Sequence, residues 1–236
     1  MTDSPESASR PFGPDISDPT RRPAPGASQV PGSATPKFPL DPRLMPAAPA
    51  GYQRYREMTI DEMLLENRVL FLVGEINYQS ASALIMRMLY LSNQNKANDI
   101  HLYINSPGGS VDDTLAIYDT MKFVPCEVAT YCIGRAMSGG AVVLAAGTKG
   151  KRFMLPHAKL MIHQPYGGIY GQTADIEIQA EEILKTKKQL NELLSELTGQ
   201  SVDQITEDSE RDKYFSADEA RDYGLVDEVL ELSKES

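Results

Sequence analysis

The chain has 236 residues, 41% of them hydrophobic and 24% charged, with a formal net charge of −10 at pH 7. That length accommodates one core-bearing domain with appendages. The acidic balance argues against nucleic acid as the main partner, and no run approaches the roughly 18 apolar residues that a membrane span needs.

Twelve of the sixteen prolines precede Gly51, beside five acidic and five basic residues. Residues 1–50 are therefore expected to be a Pro-rich flexible extension, and the whole negative charge belongs to residues 51–236. The extension has no apolar core of a secretory signal, and its acids and prolines fit an organellar transit peptide poorly. Residues 51–67 form an N-terminal segment of their own. Within it Thr59, with Glu62 three residues on, reads as a capping box opening a first helix.

From residue 68 a pattern repeats. Val69 to Val73 is a short apolar run ended by Gly74, and Ala83, Leu84, Met88 and Leu91 then recur at helical spacing. Ile100 to Ile104 is a second strand, closed by Asn105-Ser106-Pro107-Gly108-Gly109. Ser110 caps a helix from Val111 to Phe123, whose positive end suits Asp112 and Asp113. Val128 to Ile133 is a third strand and Ser138 to Ala146 a third helix. Such alternation predicts right-handed βαβ units on a parallel sheet, an α/β fold. The loops Gly108-Gly109 and Gly134 to Gly140 then lie at the carboxyl ends of strands, where open α/β sheets hold ligands.

Phe153 to Pro156 and Leu160 to Ile162 read as further strands, and a long helix runs from Thr173 to Leu197, stopped by Gly199. Its apolar stripe suits an arm docking on another subunit or an ordinary helix covering its own sheet, and periodicity does not separate the two. Two short helices, Ser201 to Arg211 and Ser216 to Tyr223, precede a last strand from Leu225 to Val229. Cys126 and Cys132 have neither metal-ligand nor disulfide spacing. They read as free thiols of a reducing compartment, which places the chain in the cytoplasm.

The chemistry centres on Ser138, in Gly134-Arg135-Ala136-Met137-Ser138-Gly139-Gly140-Ala141, and on His163 at the end of an apolar run. A serine on a tight turn and a histidine at a strand end are the parts of an activated nucleophile. Small neighbours admit a substrate carbonyl and leave the Gly139 N–H free as an oxyanion donor. The turn is close to a nucleophile elbow, with Ala136 where that motif has its first glycine. The bland alternative is a serine that lets two elements pack closely. For the acid that would orient His163, spacing alone leaves Asp175, Glu177, Asp212 and Asp227 open.

The run Leu102 to Gly109 resembles the signature of the ClpP family, the proteolytic subunits of Clp proteases. So do Ile117 to Met121, Leu144 to Gly147, Met161 to Pro165 and Tyr223 to Asp227. The likeness covers roughly residues 68–230. It implies the ClpP/crotonase-like α/β fold, with the peptidase domain over 68–236 and a protruding helix–strand handle at about 166–198. It makes Ser138 the nucleophile, His163 the base, Asp212 the acid, and Gly109 and Gly139 the oxyanion donors. It further implies two stacked seven-membered rings of one chain, cutting peptides and unfolded proteins. An AAA+ unfoldase partner spends the ATP, so the chain itself needs no cofactor or metal. Tyr103, Phe153 and Leu155 match the groove that receives the unfoldase, and the extension matches a cleaved propeptide. The chain departs from the family pattern at Met137 and Gly139, where members usually have Ala-Ser-Met, at His101, and in the segment from Gly51 to Asn67. Two other readings are a weakly active or structural paralogue in a mixed ring, and a crotonase-type hydratase or isomerase without a serine nucleophile.

Overall fold

The computed structural model describes residues 58–167 and 171–231. The Pro-rich extension, the segment before Met58 and residues 168–170 of the expected handle strand lie outside the described residues. In chain order the elements are α1 (Ile60–Glu66), β1 (Val69–Val73), α2 (Tyr78–Gln94), β2 (Ile100–Ser106), α3 (Val111–Phe123), β3 (Val128–Met137) and α4 (Gly139–Ala145). They continue with β4 (Arg152–Met154), β5 (Lys159–Ile162), α5 (Thr173–Thr198), α6 (Val202–Asp208), β6 (Lys213–Phe215), α7 (Ala217–Tyr223) and β7 (Glu228–Val229).

Strands β1, β2, β3, β4 and β7 run parallel in that order, as the repeated pattern predicts. Alternation along β2 turns Ile100, Leu102 and Ile104 into the core, fully buried with Met88 and Leu91 of α2 and Ile117 of α3. Helix α4 has no polar side chain, and its residues Gly140 to Ala145 are all buried. It is a central helix held by burial on every side rather than by an amphipathic stripe.

β3 departs from expectation. Gly134 to Met137, expected as loop, is strand because its backbone finds a new neighbour. Thr130 to Cys132 pair with β4, whereas Arg135 to Met137 pair with β5. The sheet forks along this one strand. β6, which the sequence pattern does not reveal, pairs antiparallel with β5 and completes the second branch. Three residues are too few to display a strand period, and α6 ends at Asp208 rather than reaching Arg211. The Thr59–Glu62 capping box, the Ser110 cap and the left-handed Gly199 stop all form as expected.

Two buried arginines tie these layers together. Arg68 gives its guanidinium hydrogens to the carbonyls of Leu91, Asn95, Asn98 and Asp99, around the carboxyl end of α2. Arg152 makes a forked pair with Asp227, at 2.9 Å and 2.7 Å, and bonds the Leu197 carbonyl at the base of α5. Burial pushes the Asp227 carboxyl up, but hydrogen bonds and charge from Arg152 outweigh it and hold the group below the usual carboxylate range. A depressed folded pKa stabilises the fold above the unfolded value, near 3.9, and that contribution disappears as pH falls through the folded one. Asp227→Asn should therefore cost about 3 kcal/mol at pH 7 by leaving Arg152 buried without its partner. In chemical denaturation the gap from the parent protein should narrow below about pH 4. A gap that stays constant to pH 3 would contradict the pairing.

Candidate active site

Ser138 closes β3 and caps α4 with φ 53° and ψ −124°. A non-glycine residue reaches that conformation only when its surroundings impose it, at about 1–3 kcal/mol. Here the Ser138 N–H donates to the Met161 carbonyl at 2.8 Å, continuing the β3–β5 ladder by one residue. On its other side stands the β2–α3 corner. A side chain at Gly108 (φ 89°) would meet the Met137 carbonyl at 2.6 Å and the Ser138 Cβ at 2.7 Å. Only a glycine lets the two turns approach this closely. Ile76 fixes the same corner: its N–H donates to the Gly108 carbonyl and its carbonyl accepts from Ser110, each at 2.8 Å.

His163 follows β5, and Asp212 precedes β6. Ile162 and Lys213 are cross-strand partners, so their neighbours meet, and His163 Nδ1 lies 2.9 Å from Asp212 Oδ1. Of the four carboxylates left open by spacing, Asp212 makes this contact. Asp227 is bound to Arg152, while Asp175 stands in the first turn of α5 with Glu177 two residues on in the same helix. Lys213, the next residue, does not compete for Asp212, since Asp208 binds its ammonium. Burial raises the Asp208 carboxyl, but hydrogen bonds from Lys213, Tyr223 and Gln204 bring it below the ordinary range. Burial and the Asp208 hydrogen bond together push the Tyr223 hydroxyl well up.

His163 is 14% exposed, and its other nitrogen, Nε2, is buried with no hydrogen-bond partner among the described residues. His163, Ser138, Gly109 and Gly139 line one cleft, so the structure brings together four of the five expected site residues there, with Asp212 behind His163. Ser138 and His163 make no hydrogen bond to each other; such bonds commonly tighten only when substrate is present. Val142, Ile162, Pro165 and Leu194 make the cleft walls apolar. Sequence reasoning missed Thr114 and Asn191, which also line it. The one available signal was a polar Asn191 within the apolar stripe of α5.

The expected groove residues lie elsewhere, on the outer face of the sheet. Tyr103 and Phe153 belong to a ladder Phe71, Tyr103, Tyr131, Phe153, one ring per strand in matched register, with centroids 5.4, 4.6 and 5.0 Å apart. Leu155 is half-buried just beyond β4. Sequence reasoning did not identify Phe71 and Tyr131. His101 joins the ladder through a 3.0 Å contact of Nδ1 with the Tyr131 hydroxyl. His157 is exposed in the turn between β4 and β5.

A family model described as Clp protease matches residues 52–233. The chain belongs to the Clp protease family. It is 51% identical over 216 residues to an ATP-dependent Clp protease proteolytic subunit 1 of Rhodopirellula baltica, covering 91% of this chain and 95% of that protein. It is also 51% identical over 178 residues to a protein of the same name from Corynebacterium jeikeium, covering 75% of this chain and 95% of the relative. The Rhodopirellula alignment is longer than the stretch from Gly51 to the carboxyl terminus, so it extends into the Pro-rich segment, beyond the expected span of 68–230.

In this Clp protease family member the strained serine makes a testable contribution to stability. Ser138→Gly should relax the turn and raise stability by about 1 kcal/mol relative to Ser138→Ala, which keeps the Cβ. Thermal melts of the two variants check this, and a less stable glycine variant would show that the turn carries no strain.

Proposed function

We propose that this chain is a serine peptidase subunit of an ATP-dependent Clp protease. Its Ser138, His163 and Asp212 act as nucleophile, base and orienting acid. The observation that carries this reading is the 2.9 Å pairing of His163 with Asp212, with the free His163 Nε2 in the cleft that Ser138 lines. Ser138 Oγ attacks the scissile carbonyl and passes its proton to Nε2. Asp212 holds the Nδ1–H and stabilises the imidazolium. The carbonyl oxygen becomes an oxyanion that accepts from the Gly109 and Gly139 N–H groups. Collapse expels the amine, which takes the proton from His163, and leaves an acyl-serine that water hydrolyses by the same steps. The apolar walls favour peptides that present an apolar side chain beside the scissile bond. A crotonase-type hydratase would leave the His163–Asp212 pair without a task.

The same proposal covers assembly. Ile178 and Leu184 are 62% and 66% exposed on α5, apolar side chains open to solvent that suit contact between stacked rings of this chain. Tyr78, Met86 and Tyr90 are likewise exposed on α2, which suits contact with neighbours within a ring. Two seven-membered rings meet both needs. The aromatic ladder, with Tyr103, Phe153 and Leu155, offers an AAA+ unfoldase an apolar seat. That partner supplies ATP turnover, and the chain needs no cofactor of its own. Buried free Cys126 and Cys132 favour a cytoplasmic setting. Among the described residues no helix is long and apolar enough to cross a membrane. The Pro-rich extension is read as a propeptide that the assembled particle removes.

Two experiments test this reading. Ser138→Ala should abolish both hydrolysis of a fluorogenic peptide and labelling by a fluorophosphonate. Asp212→Asn should lose at least about 100-fold in kcat, against less than about threefold for Asp175→Asn. Equal losses for the two aspartates would remove Asp212 from the triad. In sedimentation, the parent chain should run as a particle many times the monomer mass, and Ile178→Lys with Leu184→Lys should yield smaller species. An active monomer would end the chambered reading.

A further inference from the structure

Gly139 is a glycine without a conformational reason. It is the first residue of α4 and lies outside the left-handed region, where any residue is comfortable. Glycine there is a poor helix former and leaves the backbone of the expected oxyanion donor loose. The reason for it is steric and comes from one side chain. A Cβ at position 139 would lie 2.3 Å from Thr114 Oγ1, 3.2 Å from its Cγ2 and 3.3 Å from its Cβ.

Thr114 has no room to yield. It is 1% exposed in the first turns of α3, and its hydroxyl donates to the Ser110 carbonyl at 2.7 Å. That carbonyl also accepts from the Thr114 N–H at 3.0 Å, so backbone and side chain are locked to one point. A β-branched side chain bonded back in this way has one rotamer. Gly108 crowds the same peptide, since a Cβ there would lie 2.9 Å from the Gly139 nitrogen. The β2–α3 corner thus packs on the peptide between Ser138 and Gly139 through both Thr114 and Gly108.

We propose that Thr114 is a positioning residue for peptide hydrolysis. It acts as a wedge that occupies the place of a side chain at 139 and holds the Gly139 N–H aimed into the cleft. The wedge replaces the rigidity that glycine forfeits, and Thr114 and Gly139 act as one unit. This rests on the reading of Gly139 as an oxyanion donor.

A double-mutant cycle on the full-length chain, with Thr114→Ala, Gly139→Ala and both together, tests it. The readouts are kcat and KM on a fluorogenic peptide, fluorophosphonate labelling of Ser138, and the melting temperature. Gly139→Ala should lower kcat about 100-fold with little change in KM, as expected for a displaced donor. It should also melt lower, although helix propensity alone would raise the melting point. Thr114→Ala should lose about tenfold in kcat. The double variant should regain at least tenfold over Gly139→Ala and recover its melting temperature. Full activity and stability in Gly139→Ala would overturn the proposal, as would a double variant no better than that single one. The melting cycle reads the wedge independently of activity. Hydrolysis by the parent that survives Ser138→Ala would instead bring down the underlying peptidase reading and the positioning role with it.

Discussion

The site depends on one short branch of the sheet, formed by β3, β5 and β6. Ser138 follows the last residue of β3, His163 follows the last residue of β5, and Asp212 precedes the first residue of β6. Because β3 and β5 are parallel and β5 and β6 antiparallel, all three positions fall at the same edge. The hydrogen bond from the Ser138 N–H to the Met161 carbonyl fastens the proposed nucleophile to this frame. It also links it to His163, the proposed base, which stands two residues beyond Met161. Strand pairing, rather than a direct contact between Ser138 and His163, therefore sets the proposed nucleophile, base and acid in line.

The fork in β3 is what makes this frame possible. Its first half belongs to the main sheet with β4, and its second half is released to pair with β5. The β2–α3 corner then closes over the released end, fixed by Ile76 on one side and packed against Ser138 on the other. Strain at Ser138 is sustained because α4 behind it is buried from Gly140 to Ala145 and has nowhere to relax. The conformational cost at one residue is offset by a core that would have to come apart to relieve it.

Much of this was legible in the sequence. The βαβ alternation, the caps at Thr59 and Ser110 and the stop at Gly199 all rest on local patterns, and Ser138 and His163 stand out as candidates by their turn and strand-end settings. What escaped was non-local or too short to have a period. β6 is three residues long, and the strand character of Gly134 to Met137 comes from a partner elsewhere in the chain. Spacing leaves four carboxylates open and only the family resemblance points to Asp212; the β5–β6 register is what brings Asp212 to His163. Thr114 gives no sign because an isolated threonine in a helix looks the same whether or not it abuts the Ser138–Gly139 turn. Arg68 and Arg152 were silent for the same reason: their partners are carbonyls and a carboxylate far along the chain.

On the proposed reading, the β3–β5–β6 branch aligns a nucleophile and a base, and the β2–α3 corner and the start of α4 bring two backbone donors to them. A high-resolution crystal structure of the full chain after reaction with a peptide boronate tests that alignment most directly. Boron should be bonded to Ser138 Oγ, with one boronate oxygen about 2.7–3.1 Å from both the Gly109 and Gly139 nitrogens. His163 Nε2 should reach the second oxygen while Nδ1 keeps its bond to Asp212. Boron on another residue, or an adduct whose oxygens face away from both glycines, would contradict it.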